Sequence, residues 1–170
     1  IYVKYHDFEW GVPVYDDQKL YEMFLLETFQ AGLSWITILK KRESFCTAFD
    51  SFDVRKVAGY KEDKVAELLE NKQIIRNRSK INSAVTNAGI FIEIQKEFGS
   101  FSDYLWSFTK GQVIQNTGGE IPVKTELSDR ISKDLKKRGM SFVGSVTIYS
   151  YLQAVGIVND HDLNCFCHDQ

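Results

Sequence analysis

Apolar residues recur along most of this chain at helical spacing, and almost nowhere in the alternation of a half-buried strand. Leu20, Met23, Phe24 and Ala31 are spaced by three, four or seven. They paint one face of an amphipathic helix that Asp16 or Asp17 can cap and Gly32 ends. Ser34 can cap a second helix running towards Phe49, with Trp35 in its first turn. Asp53 can cap a short helix with Val54 and Val57, and Asp63 another with Val65, Leu68 and Leu69. Ile81, Val85, Ala88 and Ile92 predict a longer helix from about Arg78 to Phe98, stopped by Gly99. Ser102 to Phe108 reads as a short helix with Leu105 and Trp106 inward. From Lys110 to Thr125 the period fades. Gly111, Gly118, Gly119 and Pro122 mark a loop, with a short strand expected at Val113 and Ile114. Ser128 is expected to cap a helix through Ile131 and Leu135, ended by Lys136-Lys137-Arg138-Gly139. A last helix runs from about Gly144 to Val155. The opening, Tyr2 to Trp10, is aromatic without a clean period, and Gly11-Val12-Pro13 breaks it. The pattern predicts an all-α bundle of short helices forming one domain over residues 1–170.

One position breaks the apolar stripe. Glu27 falls on it, three residues after Phe24 and four before Ala31. An ionised carboxylate facing a core is costly unless something pairs with it. The Gly32–Ser34 corner brings that acid close to Trp35. Tyr2, Tyr5 and Trp10 extend the aromatic set, which could sandwich a flat, electron-poor ring while the acid bonds its edge; a cationic ring would gain most. Plain core packing is the alternative for any single one of these rings.

Composition narrows the function classes. The 170 residues carry a net charge of -2, so no global field draws in nucleic acid or an anionic membrane. A polyanion site would have to be a local patch. No apolar run approaches the ~18 residues of a membrane span, and no membrane partner is expected. Three cysteines do not make a secreted disulfide framework, so a cytoplasmic protein is expected. The first residue is Ile1 rather than Met, and a segment upstream of it is expected.

Two further clusters could carry chemistry. In Lys137-Arg138-Gly139-Met140-Ser141-Phe142-Val143-Gly144, glycines flank a turn between two predicted helices. The second helix would open with free backbone N–H groups, a ready anion site, unless this is ordinary capping. In the tail, His161 and Cys165 are four apart, as two ligands of one metal would be, and Cys167, His168 and His6 could complete a tetrahedral zinc set.

Taken in order, Tyr5-His6-Asp7-Phe8-Glu9-Trp10-Gly11-Val12-Pro13, Leu26-Glu27, Gln30 through Glu43, Leu135 through Gly139, Phe142-Val143-Gly144 and Val158-Asn159-Asp160-His161 resemble the 3-methyladenine DNA glycosylase I family, the constitutive bacterial type. The resemblance covers essentially the whole chain. It implies a helix-hairpin-helix glycosylase fold, with the module at about 128–155 and the hairpin at Gly139 to Gly144. By it, Glu27 contacts the edge of an extruded methylated adenine, Tyr5 lies beside the base, and Trp35 and Trp10 wall the pocket. Leu33 probes the gap left in the duplex, and Lys137, Arg138, Gly139 and Gly144 meet the DNA backbone, with Lys136 nearby. His6, His161 and Cys165 match three ligands of a structural zinc that joins the chain ends; the family's fourth is a cysteine upstream of Ile1, for which Cys167 or His168 is the candidate substitute. A further pocket tryptophan of the family also lies upstream. Asp160 stands near the place where related folds keep a sugar-steadying aspartate. The resemblance implies a monomer that takes double-stranded DNA containing methylated adenine, releases free 3-methyladenine by hydrolysis and performs no lyase step. A non-enzymatic helix-hairpin-helix module predicts no cavity at Glu27, and a zinc-stabilised protein-binding domain predicts no basic surface at the hairpin.

Overall fold

The computed structural model describes residues 1–169. Its elements are α1 (Tyr2–Phe8), α2 (Asp17–Gln30), α3 (Trp35–Ala48), a short 3-10 turn (Asp50–Phe52), α4 (Val54–Ala58), α5 (Glu62–Glu70), α6 (Arg78–Phe98), α7 (Phe101–Ser107), β1 (Ile114–Gln115), α8 (Glu126–Lys137), α9 (Ser145–Ala154) and β2 (Val158–Asn159). The fold is therefore mostly helical, as the periodicity predicts. Among the described residues no helix is long and apolar enough to cross a membrane.

Helix α2 runs through the middle. Every residue from Met23 to Phe29 is buried, so the single apolar face read from the sequence is in fact a helix covered all round. Helix α6 packs against α2, α4, α5 and α7, while α9 packs against α2 and α8. Aromatic rings fill the joints: Phe91 stacks on Phe101 at 4.0 Å, and Phe24 meets Tyr151 edge-on at 5.4 Å. Asp17 ties α2 to α7, its carboxylate accepting from the backbone N–H of Phe101 and Ser102 and from Gln95 Nε2. Those N–H groups lie at a helix start, where an acid is favourable.

Several boundaries differ from the sequence reading. Tyr2–Phe8 is helical, although its spacing shows no amphipathic stripe; among its residues only Tyr5 is buried. Helix α7 runs one residue earlier than the expected Ser102 to Phe108, and Ser100 caps it, its side chain accepting from Asp103 N. Lys61 precedes α5, and Asp63 lies inside its first turn. Ser128 does not cap α8: Thr125 does, and Ser128, as the third helical residue, reaches back to the Thr125 N–H in a capping box. The strand is Ile114–Gln115, paired in parallel with Val158–Asn159 in the tail. Asp16, Asp53 and Gly99 act as expected.

Candidate active site

The cavity lies where α1, α2, α3 and α9 meet. Its volume is about 260 Å³, and its walls are Tyr2, Tyr5, His6, Trp10, Glu27, Gln30, Trp35, Ser150 and Gln153. The opening segment is held against α9 by backbone bonds, Gly11 N to Gln153 O at 2.9 Å and Val14 N to Val155 O at 3.0 Å. The two backbones cross so closely at Gly156 that a Cβ there would lie 2.2 Å from the Val12 carbonyl carbon. Only glycine permits that crossing, and the crossing sets Tyr5 and Trp10 opposite α2.

Glu27 is 4% exposed. Burial alone pushes its carboxyl up to about 8, and no hydrogen bond among the described residues offsets it. Tyr5 is 5% exposed, with its ring centroid 5.4 Å from that of Trp35. Burial, then the neighbouring Glu27, pushes the Tyr5 hydroxyl up, so it stays protonated. The Trp35 Nε1–H is buried and has no partner among the described residues. An aromatic-walled cavity thus has an acid and an indole donor that the protein itself leaves unsatisfied. Buried polar groups are ordinarily paired, so such exceptions point to a missing partner.

Behind the aromatic wall, ligand atoms of His6, His161, Cys165 and Cys167 lie within 4.8 Å of one another. The His161 Nε2 sits 2.9 Å from the Trp10 carbonyl, which can only accept; that nitrogen therefore carries the proton, and Nδ1 faces Cys165 Sγ at 3.6 Å. His6 Nδ1 donates to Asp7 at 2.8 Å, leaving its Nε2 free. Burial lowers the His161 pKa, favouring the neutral imidazole that a metal needs. Two thiols and two imidazoles, each imidazole oriented by a second hydrogen bond, fit a tetrahedral metal. Of the two substitutes named for a fourth ligand, geometry brings in Cys167. His168 turns away, its Nε2 bonding the Asn116 carbonyl at 3.1 Å.

The other expected residues are scattered around this centre. Leu33 packs against the core at the exposed Gly32 corner and does not line the cavity. The hairpin between α8 and α9 is fixed from α6: Asn87 Nδ2 donates to Ser141 O at 2.9 Å, and Ser141 N donates to Asn87 Oδ1 at 3.0 Å. Ser132 Oγ donates to Val143 O at 2.6 Å. Gly144 begins α9 with no side-chain cap, and a Cβ there would meet nothing within 4 Å. Lys136 and Lys137 are exposed, but Arg138 folds back: Nε bonds Asp134 at 2.8 Å and a terminal nitrogen bonds Glu97 at 2.6 Å. Arg138 is thus held by two acids, whereas Lys136 and Lys137 make no ion pair among the described residues. Asp160 does not line the cavity; it accepts from Tyr149 OH and from Gln153 Nε2 at 2.8 Å.

A model of the methyladenine glycosylase family matches residues 1–168. The chain belongs to the methyladenine glycosylase family. The DNA-3-methyladenine glycosylase 1 of Escherichia coli is 48% identical over 171 residues, 99% of this chain and 91% of that protein. The Haemophilus influenzae DNA-3-methyladenine glycosylase is 45% identical over 170 residues, 98% of this chain and 92% of that protein. The solved 3-methyladenine DNA glycosylase I of Staphylococcus aureus superposes with a TM-score of 0.96 at 35% identity, covering 99% of this chain and 92% of that one. Sequence reading missed three wall residues of this glycosylase. Gln30 stands within the α2–α3 corner, and Ser150 and Gln153 are polar positions three apart on α9, a spacing that puts them on one face of the helix.

Proposed function

We propose that this glycosylase extrudes 3-methyladenine from alkylated duplex DNA and hydrolyses its N-glycosidic bond. The observation that carries the reading is the unpartnered, buried Glu27 carboxyl in an aromatic cavity. N3-methylation makes the adenine cationic, so the glycosidic bond is already weak and the base departs neutral. The enzyme then need supply little acid catalysis. Extruding a nucleotide costs a few kcal/mol, least for a damaged base. Tyr5, Trp10 and Trp35 offer ring faces to the cation, and Glu27 accepts from its exocyclic amine. The charged base in turn favours the ionised carboxylate, which burial alone disfavours. No lysine lines the cavity among the described residues, in keeping with hydrolysis by water and no lyase step. A module that merely grips DNA would have no use for this cavity.

Leu33, at the Gly32 corner next to the cavity residue Gln30, enters the gap in the duplex. The open start of α9 and the Gly139–Gly144 hairpin act as the helix-hairpin-helix grip, with Lys136 or Lys137 beside the phosphates; such contacts position the duplex and read no sequence. His6, His161, Cys165 and Cys167 would hold a structural zinc, whose role is to tie the segment bearing Tyr5 and Trp10 to the tail. In a longer chain an upstream cysteine would compete with Cys167 for the fourth position. The deciding experiment is to incubate the protein with methylated DNA and identify the released bases by chromatography. Release of 3-methyladenine, with 7-methylguanine released poorly, supports the reading; equal release of both overturns the narrow selectivity, and release of neither overturns the activity.

A further inference from the structure

Lys80 is almost completely buried, at 7% exposure, yet among the described residues it meets backbone carbonyls and no carboxylate. Its Nζ donates to the Phe29 carbonyl at 2.7 Å and to the Ala31 carbonyl at 2.6 Å. Both belong to the end of α2, where backbone carbonyls lack partners within the helix. A cation there also offsets the negative end of the helix dipole. For its own helix the placement is unfavourable: Lys80 stands in the first turn of α6, where a positive charge opposes the dipole, and Asn77 already caps that turn through Lys80 N at 3.0 Å. The side chain thus serves α2 rather than α6.

What it holds is the corner. Ala31 leaves the helix with ψ 117, and Gly32 follows at φ +79. Leu33 N donates to Gln30 O at 2.7 Å, and Gln30 Nε2 donates to Leu33 O at 2.6 Å, so Gln30 to Leu33 closes on itself. Nothing lies within 4 Å of a Cβ built on Gly32, so the corner is open on its outer side. From the inner side Lys80 grips the carbonyls on either side of Gln30, a residue that lines the cavity.

We propose that Lys80 is a positioning residue for base extrusion: from α6 it clamps the end of α2 and so fixes the Gln30–Leu33 corner at the height where Leu33 enters the duplex. This rests on the reading of Leu33 given above. Lys80 touches neither base nor sugar. It acts by keeping the corner rigid while extrusion pushes against it.

The test is a double-mutant cycle of Lys80→Met and Leu33→Ala, in single-turnover excision of 3-methyladenine from a defined duplex. Binding of free 3-methyladenine and thermal unfolding are measured on each variant. Lys80→Met keeps the aliphatic stem and removes the donors. It should slow excision by up to about a hundredfold, as small displacements of positioning groups do, while free-base binding changes only a few-fold. In the Leu33→Ala background most of that loss should vanish, whereas the effects on stability should add. Lys80→Arg, which restores charge and donors, should recover part of the rate. Normal excision by Lys80→Met overturns the proposal, and so does a loss of the same size in both backgrounds. If Leu33→Ala alone excises normally, the Leu33 reading fails, and Lys80 is then judged by whether excision falls while free-base binding holds. If Lys80→Met does not fold, Lys80→Gln, which keeps one donor, carries the same cycle to the same two outcomes.

Discussion

The α2–α3 corner and the α8–α9 hairpin solve the same geometric problem with opposite chemistry. Each turns the chain between two helices around a glycine of positive φ, Gly32 at +79 and Gly139 at +101. In the hairpin the buried polar groups find partners inside the protein: Ser132 bonds Val143, Ser128 bonds Ser145 at 2.8 Å, and Asn87 makes two bonds to Ser141. Around the first corner the Glu27 carboxyl and the Trp35 N–H are left without partners among the described residues. Satisfied polar groups mark scaffold, and unsatisfied ones beside a cavity mark where a ligand completes the structure. The hairpin's own unsatisfied groups are backbone N–H at the open start of α9, which fits an external phosphate rather than a base.

The sharpest way to break that contrast is Glu27→Gln. The amide keeps the shape but faces the amine of adenine with a possible donor and removes the charge opposite the cation. Losing a hydrogen bond to a charged group costs roughly 1.5–3 kcal/mol, which is about one to two orders of magnitude in excision rate. Folding should be unharmed, because the wild-type carboxyl makes no bond that the amide would lose. Single-turnover excision and thermal melts measured side by side decide it, and full activity would remove Glu27 from the mechanism.

A pH series gives the next largest effect. Burial pushes Glu27 from its ordinary 4.5 to about 8, so the free enzyme holds this proton near neutrality. If the carboxylate is the form that reads the base, kcat/KM should climb with pH until about 8 and then level, and Glu27→Gln should flatten the climb. The stability effect has the opposite sense. A folded state that binds this proton more tightly than the unfolded one has its Glu27 contribution complete below 4.5 and loses it as pH rises towards about 8. Wild type should therefore lose stability relative to Glu27→Gln across that window, as pH-dependent melts would reveal.

On the hairpin side, Asn87→Ala should do the converse. It removes both bonds that the buried Asn87 makes to the exposed Ser141 backbone, at about 1–3 kcal/mol of folding stability for the pair, while excision at saturating DNA falls far less than in Glu27→Gln. Denaturant titration measures the first and single-turnover kinetics the second. The smallest effect is at Lys137. Its replacement by Ala should lower the slope of log affinity against log salt by about one unit on any duplex. A loss confined to one sequence would show that the hairpin reads bases.

The corner was legible because Glu27 interrupts an apolar stripe, and such an interruption is visible in one dimension. The helix of α1 was not, because its single buried side chain, Tyr5, leaves no periodicity to detect. The start of α8 was misplaced because Thr125 and Ser128 are both good caps, and only the three-dimensional box shows which one caps and which reaches back. Ser150 and Gln153 escaped because a polar residue in a helix reads as solvent-facing until its neighbour across the cavity is known. The turning back of Arg138 was hidden for a related reason: Glu97 lies on another helix, far away in sequence. The candidate metal group was legible as a set, since His161 and Cys165 announce themselves by spacing and His6, Cys167 and His168 stand ready beside them, whereas only the path of the tail brings in Cys167 and turns His168 away.

The cavity's walls come from segments far apart in the sequence, with Tyr5 and Trp10 made before Ser150 and Gln153. The Gly156 crossing that locks them together arrives later still. During synthesis the aromatic face of α1 therefore waits, without its opposite wall, until α9 has emerged. A pocket assembled from such distant segments forms late in folding. The growing polypeptide has no complete site for a base until Ser150 and Gln153 have been translated.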